Sequence, residues 1–240
     1  MIGAFLNALG ILLGGLFGLA RRGPLSVRVQ IFFRNALGAF TVFFALRLVW
    51  LGVNGTFLSC LKQLFVVALA IVLGNLLGKL LGLQKMSNHL GRYATRLLSS
   101  AKTNSPRKIA GGFCACTILF WAAPLGLLGA VADGLSGYYY LLAVKGVMDG
   151  LAMASFVKMF RWPAALSAIP VFVFLGAISL ACQFYAKPFL DLHGMTDSVN
   201  TVAGLVACAV ALVIFELRKV ELANFLPSLA VAPLLAWLLK

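Results

Sequence analysis

Lys145 and Asp149 are the two residues of this chain whose types and spacing most invite chemistry. They lie four apart in "VKGVMDGLA", inside a long apolar stretch, so on a helix they share one face and can pair. An ionisable group inside an apolar helix is expensive to hold away from water, and such groups face a cavity or one another. Gly146 and Gly150 flank the pair and permit a close backbone neighbour or a local break. A related string, "VADGL" at Val131–Leu135, echoes "VMDGL" at Val147–Leu151 and adds a second carboxylate, Asp133. These groups offer binding of a small polar solute or ion. Asp149 would be the coupling or ligand-binding carboxylate, Lys145 its partner when the site is empty, and Asp133 would stand at the outer mouth. The plainer alternative is a Lys–Asp pair that neutralises itself within a bundle.

Two asparagines join the candidate binding residues. Asn7 precedes a glycine-rich stretch in the first apolar segment, and Asn224 lies with Glu221 and Pro227 in "ELANFLPSL". Freed backbone at such a proline lines a cavity, caps a gate or makes a plain kink. Arg47 sits near the end of its apolar segment and reads as a side chain snorkelling to headgroups. The enzymatic patterns are missing: there is no phosphate-cradling glycine loop, no HExxH and no convincing Ser-His-Asp set. The five cysteines are odd in number, and Cys114 and Cys116 would point to roughly opposite sides of a helix. The expectation is a protein that is not an enzyme and has no cofactor and no metal.

The elements that must position these groups follow from composition. Of 240 residues 62% are hydrophobic and 11% charged, more apolar surface than one soluble core of this size can bury. The apolar residues form long runs, and about 18 in succession suffice to cross a hydrocarbon core of about 30 Å. The runs are Ile2–Ala20, Ile31–Leu51, Leu58–Leu83, Ile109–Ala130, Tyr138–Val157, Pro163–Ala186, Asn200–Leu217 and Leu222–Leu239. They predict an all-α polytopic transmembrane bundle of seven to eight spans forming one integral membrane domain over residues 1–240. Pro124, Pro170, Pro227 and Pro233 predict kinks, and the last run reads as an eighth span or a re-entrant pair. The first run has no basic leader and ends in Arg-Arg-Gly-Pro, so it reads as a retained span and not a signal peptide.

The net charge of +14 is distributed in alternate connections. Arg21, Arg22, Arg28 and Arg34 cluster in the first, Lys79 to Lys108 in the third, Lys158 and Arg161 in the fifth, and Arg218 and Lys219 in the seventh. Cytoplasmic loops are enriched in Lys and Arg, so the pattern predicts an outside N-terminus and a cytoplasmic Gln84–Lys108 segment. A nucleic-acid surface would gather its charge on one soluble face with aromatics interleaved, and no segment does so. Within Gln84–Lys108, Leu90, Ala94, Leu97, Leu98 and Ala101 recur at helical spacing while Arg92, Arg96 and Lys102 lie elsewhere around the helix. That is the pattern of a basic amphipathic helix on an anionic leaflet, stopped by Asn104, Ser105 and Pro106.

"LGILLGGLFGL" at Leu9–Leu19 and "LGNLLGKLLGL" at Leu73–Leu83 agree at eight of eleven positions. Gly10, Gly14 and Gly18, and likewise Gly74, Gly78 and Gly82, recur every four residues and form a groove that admits another helix backbone. The two helices are expected to press on each other or on a second subunit in a homo-oligomer. Three spans followed by three more would set the halves in opposite orientations, although spans one to three and four to six share no sequence similarity.

Three blocks then carry a family resemblance: "GAFLNALGILLGGLFG" near the start, "GAVADGLSG" through "VKGVMDGLA" in the middle and "LANFLPSLAVAPLL" at the end. In this order they resemble the YqgA/YdfK-like bacterial inner-membrane proteins, domain-of-unknown-function family 554, over essentially the whole chain. The resemblance implies a single multi-span domain in a bacterial inner membrane and a transport role of unassigned substrate. One departure is Lys158-Met-Phe-Arg161-Trp162, where the family pattern implies a small, glycine-bearing turn.

Three functions follow from these readings: a transporter or channel-like carrier of a small polar solute or ion, a non-transporting membrane scaffold or lipid-binding module working through Arg92, Arg96 and Lys102, and, third, an integral membrane enzyme. The bilayer is the partner common to all.

Overall fold

The computed structural model describes residues 1–21, 23, 26–100 and 107–239. Arg22, Pro24, Lys102 and the 104–106 stop lie outside the described residues. Helix accounts for 88% of the described residues, and there is no strand among them. The long helices are α1 (Ile2–Ala20), α2 (Val27–Gly52) and α3 (Phe57–Leu80), followed by α4 (Leu83–Ser100). Next come α5 (Arg107–Trp121), α6 (Pro124–Ser136) and α7 (Tyr140–Phe160). From Trp162 to His193 runs one 32-residue helical span. It comprises a 3-10 turn, α8 (Ala168–Ala181), a π turn at Cys182–Ala186 and α9 (Lys187–His193). The chain ends with α10 (Thr196–Ile214), a 3-10 turn at Leu222–Phe225 and α11 (Ser228–Leu238).

Local chemistry explains the boundaries. Ser26 and Thr56 cap α2 and α3, their hydroxyls accepting from the amides of Val29 and Ser59, each at 3.4 Å. The run expected to continue to Leu83 stops at Leu80, because Gly82 adopts φ +65°, a left-handed conformation that ends a helix. Pro188 cannot donate to Phe184, and the π turn before it absorbs the lost bond, with Lys187 N–H donating to Cys182 O.

Six helical segments are long and apolar enough to cross a membrane: α1, α2, α3, α7, Trp162–His193 and α10. The expected fourth span is broken, α5 and α6 meeting at a bend of 58°, and counts as a seventh if the pair is one span. The last run holds a shorter apolar helix, Leu222–Leu238, below the length of the six. It opens with a 3-10 turn at Leu222–Phe225, and α11 begins only after Pro227.

Helix directions can be read from what each glycine touches. Gly10, Gly14 and Gly18 of α1 meet Gly146, Gly150 and Ala154 of α7 in the same order, so these helices run parallel. A Cβ on Gly10 would stand 2.3 Å from Gly146 O, and one on Gly14 2.0 Å from Gly150 O. Only bare glycines allow such backbone contact. α2 runs antiparallel to α10, with Gly52 against Thr201 and Gly38 against Phe215. α3 runs antiparallel to the final segment, with Gly74 against Ser228 and Gly78 against Asn224. The two echoing stretches therefore pack on different partners rather than on each other, and Gly82 meets no neighbouring atom within 4 Å. These directions gather Arg21, Arg34, Lys79 and Lys158 at one end of the bundle, where Arg34 pairs with Glu216 at 2.5 Å and Lys158 Nζ donates to Gly23 O.

Two apolar cores result. One is built from α2, α3, α10 and α11 around Leu48, Val67, Val202 and Ala232. The other is built from α1, α5, α7 and α8 around Ile11, Phe120, Met153 and Leu175. α6 and α7 divide them, Leu141 packing into the first core and its neighbour Leu142 into the second.

Candidate functional site

The site begins at the break between α5 and α6. Pro124 has no N–H, so the carbonyl four residues before it, Phe120 O, loses its helical donor. That carbonyl is buried within the second core and needs a partner. Lys145, reaching across from α7, supplies it: Nζ donates to Phe120 O at 2.8 Å. The stem of Lys145 fits because position 126 is glycine, where a Cβ would lie 2.9 Å from Lys145 Cε.

The same ammonium pairs with Asp149 Oδ2, one turn further along α7. From α1, Asn7 Nδ2 donates to the same oxygen at 2.9 Å. Lys145 is 2% exposed, Asp149 8% and Asn7 fully buried. Asn7 Oδ1 is buried and has no hydrogen-bond partner among the described residues. α1 and α7 thus meet at one carboxylate near the midpoint of α7, and α5 joins through the lysine ammonium. In such a low-dielectric setting each charge depends on the other, and removing one leaves its partner exposed to the full cost of burial. The C-terminal end of α5 adds the negative end of a helix dipole beside the ammonium.

The other candidates lie elsewhere. Asp133, 5% exposed, accepts from Ser179 Oγ at 3.0 Å and pairs with the Met1 amino group at 2.8 Å. It sits about two turns of α6 beyond Gly126, in a cluster of its own. Asn224 does not join the central site. Its Oδ1 accepts from Gln84 N at 3.1 Å, its Nδ2 donates to Glu221 Oε2 at 2.8 Å, and Gln84 Oε1 in turn accepts from Ala223 N. These bonds staple the start of α4 to the Leu222–Phe225 turn at the basic end. Arg92 and Arg96 are exposed on α4, whose opposite face packs on α5 with Ala94 fully buried and Leu98 against the second core. Arg47 stacks over the Tyr140 ring at 5.3 Å.

A cleft of about 270 Å³ opens between α2, α7 and α10, lined by Gln30, Arg34, Leu37, Met148, Ala152 and Ser155. It reaches α7 at the turn that carries Asp149. The five cysteines are free thiols, and no group of three His, Cys, Asp or Glu able to hold a metal occurs among the described residues. Two participants escaped the reading of the sequence. Phe120 acts through its carbonyl, findable by counting four back from Pro124, whereas Gly126 acts by making room, which no motif signals.

Comparison with known proteins places this architecture. The chain is 26% identical over 243 residues to "Uncharacterized membrane protein YdfK" of Bacillus subtilis (strain 168), covering 100% of this chain and 97% of that protein. It is 28% identical over 237 residues to "Uncharacterized protein YqgA" of Escherichia coli (strain K12), covering 97% and 94% respectively. No solved structure matches. The family model described as "Protein of unknown function (DUF554)" matches residues 2–237. A multi-span helical bundle aligned end to end with these relatives belongs to the DUF554 family of membrane proteins.

Proposed function

We propose that this chain is a secondary carrier of a small polar solute or ion, with Lys145, Asp149 and Asn7 as its central binding site. One observation carries the reading: a buried ion pair is placed at the break of a discontinuous span, where it completes the bonding of a freed carbonyl. Broken helices with ionisable partners near mid-membrane are the recurring architecture of solute and ion sites in carriers. A buried pair is also poor glue, since apolar residues of similar volume often hold a bundle as well or better. The division into two cores on either side of α6 and α7 supports movement of one part against the other. The basic end would face the cytoplasm of a bacterium and the N-terminus the outside, by the bias of Lys and Arg. Asp133 with Ser179 would stand toward the outer mouth. Gly10, Gly14, Gly74 and Gly78 are covered within the chain, so a homo-oligomer would use other faces.

The test is charge movement in proteoliposomes on a solid-supported membrane, screening ions and small metabolites with wild type and Asp149→Asn side by side. A solute-dependent current that vanishes in a normally folded Asp149→Asn protein supports the carrier. The scaffold reading is favoured by the outward charges of α4. It expects Asp149→Asn to be silent and Arg92→Gln with Arg96→Gln to weaken attachment to anionic lipid.

A further inference from the structure

We propose that Lys145 is the tethered occupant of a monovalent-cation site, and that a sodium-sized alkali cation takes its place on Asp149 by exchange for the lysine proton. The inference deepens the carrier reading and rests on it for its purpose, but its chemistry stands on the donor set. The ammonium of Lys145 lies among oxygens: it donates to Asp149 Oδ2 and to Phe120 O. A third oxygen comes within reach by rotation of the Asn7 amide, whose Oδ1 is fully buried and without a partner among the described residues. With the second oxygen of Asp149, the three helices α1, α5 and α7 can supply four oxygens to a cation there. Oxygen donors suit hard cations, whereas a site for a soft transition metal would use sulfur or imidazole. A single carboxylate balances one positive charge, so the set fits a monovalent ion. Phe120 O is a freed carbonyl at the C-terminal end of a half-helix, the partial negative charge that coordinates sodium in discontinuous spans.

The exchange balances in atoms and charge. The ammonium gives one proton to water, the resulting amine keeps its hydrogen bond to Phe120 O, and the cation takes the place beside the Asp149 carboxylate. One cation enters and one proton leaves, so the buried site keeps its net charge, as a low-dielectric interior requires. Asn7 then turns its amide so that Oδ1, now idle, faces the cation. The cleft lined by Arg34, Met148 and Ala152 borders the same turn of α7.

Purified full-length protein in weakly buffered detergent tests this directly. Sodium chloride added against choline chloride at equal ionic strength should release protons from wild type, saturably and in proportion to bound radiolabelled sodium. Asp149→Asn should do neither. Lys145→Met should bind sodium at least about tenfold more tightly, because the tethered competitor is gone, and release no proton. If Lys145→Met fails to fold, Lys145→Gln carries the same comparison, and proton release from wild type needs no variant. Absence of saturable binding of sodium, lithium or potassium in wild type and in the folded lysine variant overturns the proposal. A solute current that ignores these cations, with no proton release, also overturns it while leaving the carrier standing. Sodium-linked proton release with neither a transport current nor uptake of radiolabelled sodium into proteoliposomes supports the site and removes the carrier reading.

Discussion

Lys145 Nζ donates at 2.8 Å to Phe120 O, the carbonyl that Pro124 leaves without a helical donor. One side chain therefore satisfies the cost of a broken helix and balances a buried carboxylate at the same time. Changes at Lys145, Pro124 and Asp149 are coupled for that reason, and no single one of them can be read alone.

The coupling sets the first prediction. Lys145→Met leaves Asp149 and Phe120 O unpartnered and should cost about 3–5 kcal/mol in the absence of a replacing cation. The double variant Lys145→Met with Asp149→Leu should recover most of that loss, since an apolar pair replaces a buried ionic one. Reversible unfolding in mixed micelles measures both; additive losses would show that the two residues do not act as a pair.

A second prediction concerns the contact of α1 with α7. Gly14→Ala would place a Cβ 2.0 Å from Gly150 O, with backbone on both sides and no flexible side chain to yield. A loss of about 1–3 kcal/mol is expected. Gly91→Ala, in the interior of α4 with nothing within 4 Å, should instead gain about 0.5–1 kcal/mol. Thermal unfolding of the two variants side by side decides it, and equal effects would contradict the backbone contact.

Arg161 provides a third. It ends α7 at φ 64°, ψ −171°, a conformation almost confined to glycine. The glycine-bearing turn implied by the family resemblance at this place thus has a physical reason. Arg161→Gly should raise stability by about 1–3 kcal/mol, seen as a higher melting temperature. A lower one would mean that the arginine makes contacts worth more than the strain.

Asn224 supplies the fourth. Its bonds with Gln84 and Glu221 tie the start of α4 to the last segment, away from the central site. Asn224→Ala should lower stability by about 1–2 kcal/mol with the affinity of the central site unchanged. Asn7→Leu, by contrast, should abolish binding at that site. Binding measurements on both variants separate the two asparagines, and an equal loss of affinity would return Asn224 to the site.

The sequence by itself determined the solvent of this protein, because apolar runs longer than about 18 residues have no other stable environment. It also determined the pairing of Lys145 with Asp149, since a spacing of four on a helix leaves both side chains on one face. The bend at Pro124 was equally legible, as a proline removes a specific hydrogen bond wherever it stands in a helix. Tertiary structure decided which partner each of these local features meets. Gly10 and Gly74 carry the same local pattern, yet one faces Gly146 and the other Ser228, because a groove specifies close approach and not who approaches. Asn7 and Asn224 are alike as sequence. Only the parallel seating of α1 on α7 brings the first to Asp149, and only the folding back of the last segment along α3 takes the second to Gln84. The last run looked long enough to span, but turn formation around Glu221 and Pro227 competes with helix and leaves α11 short. Local chemistry writes the helices, their breaks and their nearest pairs, while contacts between residues over a hundred positions apart depend on packing that no short window contains.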